Sequence, residues 1–298
     1  MKAVIPAAGL GSRLLPATKA QPKEMLPVVD KPAIQYVIEE SVNCGIDDIL
    51  IITGRGKRAI EDHFDRHIEL ETSLLEDQKH EFLEQIKSIA DLADIHYTRQ
   101  KETKGLGHAI YCARKFVGSE AFLVLLGDII SVGDIPCSQK LIDAYNKYQA
   151  TIIGVEKIPL ELAERYGIIS GTILDDGVVK VESLVEKPSV EDAPSNLAIF
   201  GRYVLTPAIF ESIKCTEPGK GGEVQLTDAL ANMLPHNEIY AVEVSGERYD
   251  IGSKIDWLIA NIELALKRDD LRSQLTKYLQ ELQLNLTPQP FKIAAKSK

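Results

Sequence analysis

Short apolar runs alternate with amphipathic segments along the first half of the chain. The segment at residues 34–45 places Ile34, Val37, Ile38 and Val42 at the three- and four-residue spacing of a helix that buries one face. The apolar runs have the length of buried strands and cover residues 3–8, 48–54, 95–100, 122–128 and 150–155. Strands that alternate with helices predict a mostly parallel sheet with helices packed on both faces.

The pattern changes near residue 167, where the strand-length runs become more closely spaced. These later runs lie at residues 167–174, 178–188, 197–206 and 239–251. They predict a mixed or antiparallel second half of the sheet. Residues 68–93 predict a helical insertion, and residues 253–283 predict two helices with heptad-like leucines. We therefore expect an α/β protein with a mixed, mostly parallel central sheet, flanking helices and further helices at its carboxyl end.

Composition and charge narrow the class of ligand. The chain has 298 residues and a formal net charge of −10, which argues against a nucleic-acid partner and against an anionic membrane surface. Its first 31 residues nevertheless hold five basic and two acidic side chains. A basic segment in an acidic chain favours a small polyanionic ligand.

The sequence predicts a cytoplasmic protein with reduced thiols. No apolar run approaches the ~18 residues that span a bilayer, and the residues after Met1 lack the apolar stretch of a signal peptide. Cys44, Cys112, Cys137 and Cys215 are widely spaced and form no C-x-x-C motif. We therefore expect buried free thiols rather than a disulfide or zinc framework.

The segment IPAAGLGSRLLPATKAQPKEMLPV at residues 5–28 follows the first predicted strand. It lacks the G-x-x-x-x-G-K-[ST] string of a P-loop, and Leu14 stands where a dinucleotide-binding G-x-G-x-x-G motif needs glycine. Gly9 and Gly11 still allow a tight turn whose amides face anionic oxygens, and Arg13 and Lys23 can bind phosphate. Spacing alone does not separate such a site from an ordinary glycine-rich turn.

Several strings along about residues 1–270 carry a family resemblance. They are AAGLGSR, PKEMLPVVDKP, RQKETKGLGHA, LLGD, RYGII, VEKP, SNLAIFGRYV, GGEVQLTDA and RYDIGSK. In this order they resemble sugar-1-phosphate nucleotidyltransferases, and the form PATKAQPKEMLP is most similar to the bacterial-type UTP–glucose-1-phosphate uridylyltransferases. The departures are small: Ser12 replaces the usual threonine, and Ile129 follows Asp128 where some relatives carry a second acid.

The resemblance implies a Rossmann-like nucleotidyltransferase fold and a reaction in which UTP and glucose 1-phosphate give UDP-glucose and pyrophosphate. A phosphate oxygen of the sugar would attack the α-phosphorus, so catalysis would depend on positioning and on cations rather than on a general base. By the same resemblance, the residues expected at the nucleotide are Ala8, Gly9 and Gly11 through their backbones, Arg13 and Lys23 at the phosphates, and Gln100 with Gly105 at the uracil.

Two aspartates are the expected ligands of a Mg2+ cofactor. Asp128 ends the predicted strand at residues 122–128, and ligands gather at the carboxyl ends of parallel strands. A lone aspartate there is also typical of a helix cap or a turn, so only the resemblance assigns Asp128 and Asp250 to a metal. One or two carboxylates plus substrate phosphates commonly hold Mg2+.

The resemblance places the sugar phosphate on the second half of the chain. Glu186 would bind glucose hydroxyls, Lys187 would contact the attacking phosphate as a catalytic residue, and Gly167 and Ile199 would offer their backbones. Glu186 and Lys187 are neighbours, and neighbours on a strand point to opposite faces unless the strand bends. Pro188 makes an end of the strand plausible there, while a solvated charge pair is the alternative.

The choice of base is left open by the sequence. The Gln100 amide could donate to uracil O4 and accept from N3–H, but after a flip it would also suit cytosine. Backbone groups near Gly105 would therefore supply the fixed part of the recognition. His108 follows this loop and is either a packing residue or a neighbour of the phosphates.

Two other functions are kept as alternatives. A sister enzyme that uses dTTP or CTP would share the fold, although PKEM differs from the SKQLL form of thymidylyltransferases. A catalytically silent regulatory paralogue would be expected to lack a charged site residue, and none of those named above is missing. We expect a catalytic domain at residues 1–252, and C-terminal helices and a tail at 253–298 that join copies into a homodimer or homotetramer.

Overall fold

The computed structural model describes residues 1–244 and 246–285. The strands are β1 Lys2–Ala7, β2 Pro27–Val28, β3 Lys31–Pro32, β4 Asp48–Thr53, β5 Asp94–Arg99, β6 Phe122–Leu125, β7 Ile129–Val132, β8 Thr151–Lys157, β9 Gly167–Ile173, β10 Val179–Glu186, β11 Leu197–Leu205, β12 Ile239–Glu243 and β13 Glu247–Asp250.

Helices connect and cover these strands. The α-helices are α1 Ala33–Asn43, α2 Arg58–Phe64, α3 Ile68–Glu76, α4 His80–Ala90, α5 Leu106–Cys112, α6 Arg114–Val117, α7 Cys137–Tyr148, α8 Ala208–Cys215, α9 Leu226–Met233, α10 Lys254–Lys267 and α11 Asp269–Asn285. Short 3-10 helices cover Ser12–Leu14, Ala17–Lys19, Lys23–Met25, Leu160–Arg165 and Lys220–Gly222.

Among the described residues, nine strands form one mixed sheet in the order β5-β4-β1-β6-β11-β8-β12-β10-β9. The strands from β5 to β6 run parallel, as the alternation of strands and helices in the first half predicts. Strand β11 is antiparallel to β6 and to β8, and β9 is antiparallel to β10. The predicted α/β class with a mixed central sheet and flanking helices is confirmed.

Both faces of β1, β4 and β6 are buried under helices, whereas β5, at the edge of the sheet, is partly exposed although its run also predicted a buried strand. In β1, Val4 points into a cluster formed with α5, α8 and α9, whereas Ala3 and Ile5 point to the opposite face and pack with α1 and α7. The predicted stripe of α1 is part of this second cluster, with Ile34 and Val37 fully buried. Continuous apolar runs in the first half therefore reflect strands with no solvent-facing side.

A two-stranded ribbon leads from the sheet to the C-terminal helices. Strand β7 follows β6 closely and pairs antiparallel with β13, with Asp250 opposite Ile129. The Ile251 N–H donates to the carbonyl oxygen of Asp128 at 2.9 Å. Ser253 then caps the start of α10 with its side chain. The ribbon thus places residues 128 and 250 side by side, next to the carboxyl end of β6.

The helical predictions agree with the structure. The insertion predicted at residues 68–93 forms α3 and α4, and the two helices predicted at 253–283 are α10 and α11. The predicted tail is residues 285–298; its first residue, Asn285, ends α11, and the others lie outside the described residues. None of the helices in residues 1–244 and 246–285 combines the length and the apolarity needed to cross a membrane.

The prediction for the cysteines is right for their oxidation state and wrong for their burial. All four thiols are free. Cys137 is buried, but Cys44 and Cys112 are half-buried and Cys215 is exposed. Cys215 ends α8, and that helix buries its opposite face through Ile209, where the sheet lies. A short amphipathic helix has a solvent side even when its sequence is largely apolar.

Candidate active site

The loop after β1 lies where the connections of the chain diverge. From β1 the chain continues to β4 and β5 on one side and then to β6 on the other side, so a crevice forms beyond the carboxyl end of β1. Gly11 adopts the left-handed conformation with φ 68°, and the Thr18 hydroxyl donates to its carbonyl oxygen at 2.7 Å. Ala8, Gly9 and Gly11 line a cavity of 430 Å³ here, which we call the nucleotide cavity.

Lys23 and Asp128 form an ion pair in the nucleotide cavity. The Lys23 ammonium donates to Asp128 Oδ2, and both side chains line the cavity. Burial alone would lower the pKa of Lys23, but the carboxylates of Asp128 and Glu24 raise it above its usual value. Burial likewise opposes ionisation of Asp128, yet Lys23 and Arg13 hold its pKa below the usual value. Both members are therefore charged at neutral pH.

A second buried pair lies beside Lys23. Lys57 Nζ donates to Glu24 Oε2 at 2.6 Å, and both side chains are buried. Burial raises the pKa of Glu24 despite the opposing attraction of Lys57 and Lys23. Sequence reasoning missed this pair, because Lys57 follows β4 and nothing local connects it with the first loop.

Asp250 and Gly252 lie next to Asp128, which lines the nucleotide cavity. Arg13 Nη1 lies 3.6 Å from Asp250 Oδ2, and the Gly252 N–H donates to Asp250 Oδ1 at 2.9 Å. A Cβ on residue 252 would lie 2.9 Å from Asp250 Oδ1 and 3.3 Å from Asp128 Oδ2. It would also lie 2.8 Å from Arg13 Nη2. The glycine therefore leaves open a point that two carboxylates share.

The donor set around that open point fits a Mg2+ ion. Mg2+ prefers oxygen ligands and is usually held by one or two carboxylates, with water and phosphate oxygens completing its shell. Asp250 is the last residue of β13, and Asp128 directly precedes β7, the strand that pairs with β13. Each residue supplies one carboxylate. The two expected metal ligands thus meet in space, as a shared ion would require.

Gln100 is buried and lines the same cavity with its amide fixed by two neighbours. Its Nε2 donates to the Gly105 carbonyl oxygen at 3.0 Å and to His108 Nδ1 at 3.0 Å. An amide nitrogen carries two hydrogens, so both are used inside the protein. This differs from the expectation that the amide would donate to uracil O4, because only its carbonyl oxygen remains for a ligand. His108 proves to be a partner of Gln100.

Gly105 is required where two loops approach each other closely. Its φ is 93°, and a Cβ there would lie 2.7 Å from the Val224 carbonyl oxygen and 2.7 Å from Glu223 Cβ. The Gly107 N–H donates to the Val224 carbonyl oxygen at 2.9 Å. The strings KGLGHA and GGEVQLTDA therefore meet here, although they are distant in the sequence.

A second cavity of 270 Å³, which we call the sugar cavity, adjoins the nucleotide cavity. The two share the residues Leu106, Leu126 and Glu223. The four residues expected at the sugar all line it, namely Gly167, Glu186, Lys187 and Ile199. A Cβ on Gly167 would lie 2.8 Å from Thr227 Oγ1 and 2.9 Å from Ile199 Cδ1. Glycine at residue 167 therefore allows β9 to pack this closely against β11 and α9.

Strand β10 ends in a bend that turns Glu186 and Lys187 toward the sugar cavity. Lys187 has φ 48°, a left-handed conformation that costs free energy in a residue other than glycine. Its N–H donates to the Tyr166 carbonyl oxygen at 3.0 Å, and its Nζ lies 2.8 Å from Glu186 Oε1. The Thr227 hydroxyl donates to Glu186 Oε2 at 2.7 Å. Because of this bend, the neighbouring residues Glu186 and Lys187 can both face the sugar cavity, which a regular strand would not allow.

Two arginines of the sugar cavity were not singled out from the sequence. Arg165 Nη2 lies 3.9 Å from Asp250 Oδ2, and Arg248 donates to Glu156 at 2.8 Å while its guanidinium stacks over the Tyr166 ring. Both belong to strings that carry the family resemblance, RYGII and RYDIGSK. That membership was the available signal, but an isolated arginine does not by itself indicate which side chains it will meet.

The family model described as nucleotidyl transferase matches residues 2–266. The chain is 54% identical over 281 residues to the UTP–glucose-1-phosphate uridylyltransferase YngB of Bacillus subtilis, which covers 94% of this chain and 95% of that protein.

Solved structures extend the likeness to three dimensions. A UDP-glucose pyrophosphorylase from Acinetobacter baumannii matches with a TM-score of 0.86 and 38% identity, over 94% of this chain and 99% of that one. A crystal structure of UDP-glucose pyrophosphorylase complexed with UDP-glucose matches with a TM-score of 0.82 and 43% identity, over 90% of this chain and 99% of that one. These matches span the loop, the ribbon and both cavities, so the chain belongs to the nucleotidyl transferase family, in its group of UTP–glucose-1-phosphate uridylyltransferases.

Proposed function

We propose that this chain transfers the uridylyl group of UTP to glucose 1-phosphate, forming UDP-glucose and releasing pyrophosphate. The observation that carries the proposal is the meeting of two cavities with complementary chemistry. One holds a glycine-rich loop and the Lys23–Asp128 pair, and the other holds the Glu186–Lys187 pair. Membership of the uridylyltransferase group supports the same substrates.

The reaction asks for positioning rather than for proton transfer. The attacking oxygen belongs to a phosphate monoester, which is largely dianionic at neutral pH because its second pKa is near ~6. A bond forms from this oxygen to the α-phosphorus while the bond from that phosphorus to the departing pyrophosphate breaks. No side chain needs to act as a general base. The protein must hold two polyanions together and stabilise the charge that grows on the leaving group.

Arg13 and Lys23 are the cations that we assign to the triphosphate and the departing pyrophosphate. Each lies beside a carboxylate of the site, which holds it near the nucleotide cavity before a ligand binds. The backbones of Ala8, Gly9 and Gly11 line the same cavity and would approach the nucleotide closely. Gln100 and Gly105 lie at its other end, where we place the uracil.

Asp128 and Asp250 would hold Mg2+ at the point that Gly252 leaves open. When bound, the ion would neutralise charge on the triphosphate and orient its oxygens for in-line displacement. The Lys23 ammonium, which neutralises Asp128 here, would then be available to phosphate oxygens. The pairing of β7 with β13 holds the backbones of the two aspartates next to each other.

Glu186 and Lys187 divide the recognition of the sugar phosphate. The Glu186 carboxylate can accept hydrogen bonds from glucose hydroxyls, and the Lys187 ammonium can contact the phosphate that attacks. Thr227 holds one oxygen of Glu186, which fixes the direction of the other. Gly167 and Ile199 line the same cavity and would present backbone groups to the sugar.

The test is a pyrophosphate-release assay over every pairing of UTP, CTP, dTTP and ATP with the 1-phosphates of glucose, galactose and N-acetylglucosamine. We expect the highest kcat/KM for UTP with glucose 1-phosphate, and UDP-glucose as the product by chromatography. A higher kcat/KM for dTTP or CTP would replace this function by that of a sister enzyme. UTP binding without turnover of any pair would indicate a regulatory paralogue.

We further propose that α10 joins copies of the chain into a homodimer or homotetramer. Ile255, Leu258, Ile259 and Ile262 recur at helical spacing on this helix and are all exposed. Sedimentation should show the wild-type protein as an oligomer and the variant Leu258→Asp as a smaller species. A monomeric wild-type protein would contradict the proposal. A cytoplasmic location is proposed with it, from the group to which the chain belongs.

A further inference from the structure

Lys57 and Glu24 form a buried ion pair that the steps described above do not use. Lys57 Nζ donates to Glu24 Oε2 at 2.6 Å, and the two side chains are 7% and 1% exposed. Solvent does not screen such a pair as it screens a surface salt bridge. Taking two charges out of water costs free energy, so a buried pair can contribute little to stability. The surroundings of this pair point to a role besides stability.

The pair joins the turn after β4 to the first loop of the chain. Lys57 follows β4 and directly precedes α2, whereas Glu24 is the middle residue of the 3-10 helix Lys23–Met25. A Cβ on Gly127 would lie 3.5 Å from Glu24 Cγ, so the stem of Glu24 packs against the residue before Asp128. The pair therefore lies behind the wall of the nucleotide cavity that carries the phosphate-binding lysine.

Four charged side chains of alternating sign interact one after another at this wall. Lys57 donates to Glu24, Glu24 attracts Lys23, and Lys23 donates to Asp128. Burial lowers the pKa of Lys23, but the charges of Asp128 and Glu24 together raise it above its usual value. Lys23 thus has two carboxylates that can attract it, one inside the cavity and one behind its wall.

The attraction of Glu24 competes with a bound phosphate for the Lys23 ammonium. In the proposed reaction Lys23 leaves Asp128 for oxygens of the triphosphate and of the departing pyrophosphate. A buried Glu24 without a partner would draw the same ammonium away from the cavity, because an unpaired buried carboxylate is strongly unfavourable. Lys57 removes this competitor, since it already binds Glu24 Oε2.

We propose that Lys57 is a positioning residue for phosphate binding, which neutralises Glu24 and so leaves Lys23 available to the triphosphate and the pyrophosphate. This rests on the proposed function, because that function supplies the phosphate ligand of Lys23. It goes beyond that function by assigning part of phosphate binding to a side chain that does not line the nucleotide cavity. Neither Lys57 nor Glu24 lines the sugar cavity, so binding of glucose 1-phosphate should not depend on the pair.

Three variants test the proposal. Lys57→Met removes the charge and nearly keeps the length of the side chain. The double variant Lys57→Met, Glu24→Gln removes both charges at similar volume. Lys79→Met, at an exposed lysine that pairs with Asp77, is the matched control. The measurements are the KM values for UTP and glucose 1-phosphate, and the dissociation constants of UTP and of pyrophosphate by calorimetry without glucose 1-phosphate.

We expect Lys57→Met to raise the KM for UTP and both dissociation constants about 10-fold, the effect of losing one hydrogen bond between charged groups. The KM for glucose 1-phosphate should stay at its wild-type value. The double variant should recover most of the loss, because it leaves no unpaired carboxylate behind Lys23. Lys79→Met should change none of these constants. Should Lys57→Met fail to fold by thermal melt, Lys57→Gln, which removes the charge and can still donate an N–H, takes its place.

Three results would overturn the proposal. The first is unchanged binding of UTP and pyrophosphate in the folded Lys57 variant. The second is an equal rise in the KM for glucose 1-phosphate, which would mean that the whole site has loosened. The third is a double variant as weak as the single one, which would mean that the pair acts through its geometry and not by neutralising Glu24. Failure of the proposed function looks different, because the wild-type protein would then make no UDP-glucose from UTP before any variant is compared.

Discussion

Two ion pairs, each formed by a basic and an acidic side chain, differ in their exposure to solvent and in the hydrogen-bond partners around them. Arg202 and Glu40 lie in the interior, with Arg202 0% exposed. Lys23 and Asp128 lie at a cavity and keep about a sixth of their side chains exposed, at 16% and 15%. Both pairs join distant parts of the chain, so sequence distance does not distinguish them.

The interior pair is saturated with partners. Arg202 Nε and Nη2 both donate to Glu40, at 3.1 Å and 2.7 Å to Oε2, and Nη2 also donates to the Ile129 carbonyl oxygen at 2.7 Å. The Cys137 thiol and the Ser138 hydroxyl donate to the same carboxylate. Burial opposes ionisation of Glu40, but Arg202 holds its pKa below the usual value. The charged groups of Arg202 and Glu40 therefore already bind protein atoms.

The Lys23–Asp128 pair at the cavity can exchange each partner for a ligand. Lys23 and Asp128 border open space, and Arg13 approaches Asp250 at 3.6 Å with 62% of its side chain exposed. A phosphate can replace a carboxylate as the partner of either cation, and a metal ion can replace a cation as the partner of either carboxylate. The comparison teaches that accessibility and unsaturated partners, rather than charge or burial alone, separate a binding group from a structural one.

The interior pair also holds the backbone next to the cavity pair. Arg202 anchors the carbonyl of Ile129, the residue after Asp128 and the one opposite Asp250 in the ribbon. The interior pair therefore fixes the backbone at Ile129, which is next to one proposed metal ligand, Asp128, and opposite the other, Asp250. Removing one pair should lower stability and removing the other should lower activity, which the following variants separate.

The largest effect is expected for Arg202→Leu. Leaving Glu40 buried without its partner should lower the free energy of unfolding by about 3–5 kcal/mol, measured by urea titration at pH 7. Without Arg202, burial raises the pKa of Glu40, so the loss should shrink as the pH falls toward ~4.3, where the unfolded carboxylate also becomes protonated. The double variant Arg202→Leu, Glu40→Leu should recover part of the loss. A double variant less stable than the single one would contradict this account.

The next effect is expected for Asp128→Asn, and it concerns rate. We expect kcat to fall at least about 100-fold, the size of losing one strong transition-state contact, while the melting temperature changes little. EDTA should abolish wild-type activity and Mg2+ should restore it. Asp134→Asn, at an exposed aspartate after β7, is the matched control and should keep kcat. Full activity of metal-free protein would end the metal assignment.

A smaller effect is expected for Lys187→Ala, and it should be confined to one substrate. The KM for glucose 1-phosphate should rise about 10- to 100-fold, as for the loss of a hydrogen bond between charged groups, with little change in the KM for UTP. Lys180→Ala removes an exposed lysine from β10, the strand that Lys187 follows; Lys180 pairs with Glu238, and its loss should leave both constants unchanged. Equal rises in both constants would mean that Lys187 does not belong to the sugar phosphate.

The smallest effect is expected for Gly252→Ala. Its Cβ would press on Asp250 Oδ1 and enter the point shared with Asp128. The Mg2+ concentration for half-maximal activity should rise about 10-fold, near the lower end of what changes around a metal ligand cost. Activity at saturating Mg2+ should largely recover. An unchanged Mg2+ dependence would show that the open point is not where the ion binds.

Local sequence determined the elements of the molecule and the place of its first loop. The runs at residues 48–54 and 122–128 became β4 and β6, because strands buried on both faces need continuous apolar side chains. The string around Gly9 and Gly11, read together with the family resemblance, predicted the loop that lines the nucleotide cavity. These features depend on residues that are close in the chain.

The tertiary structure decided which distant groups meet. Pairing of β7 with β13 brought Asp250 beside Asp128, and the bend at Lys187 turned two adjacent charges into one cavity. The orientation of the Gln100 amide was decided by the Gly105 carbonyl oxygen, which can only accept, and a glutamine symbol in a sequence carries no orientation. The physical reason is common to all three: hydrogen-bond partners and strand register act through space, whereas apolar periodicity and turn chemistry act along the chain.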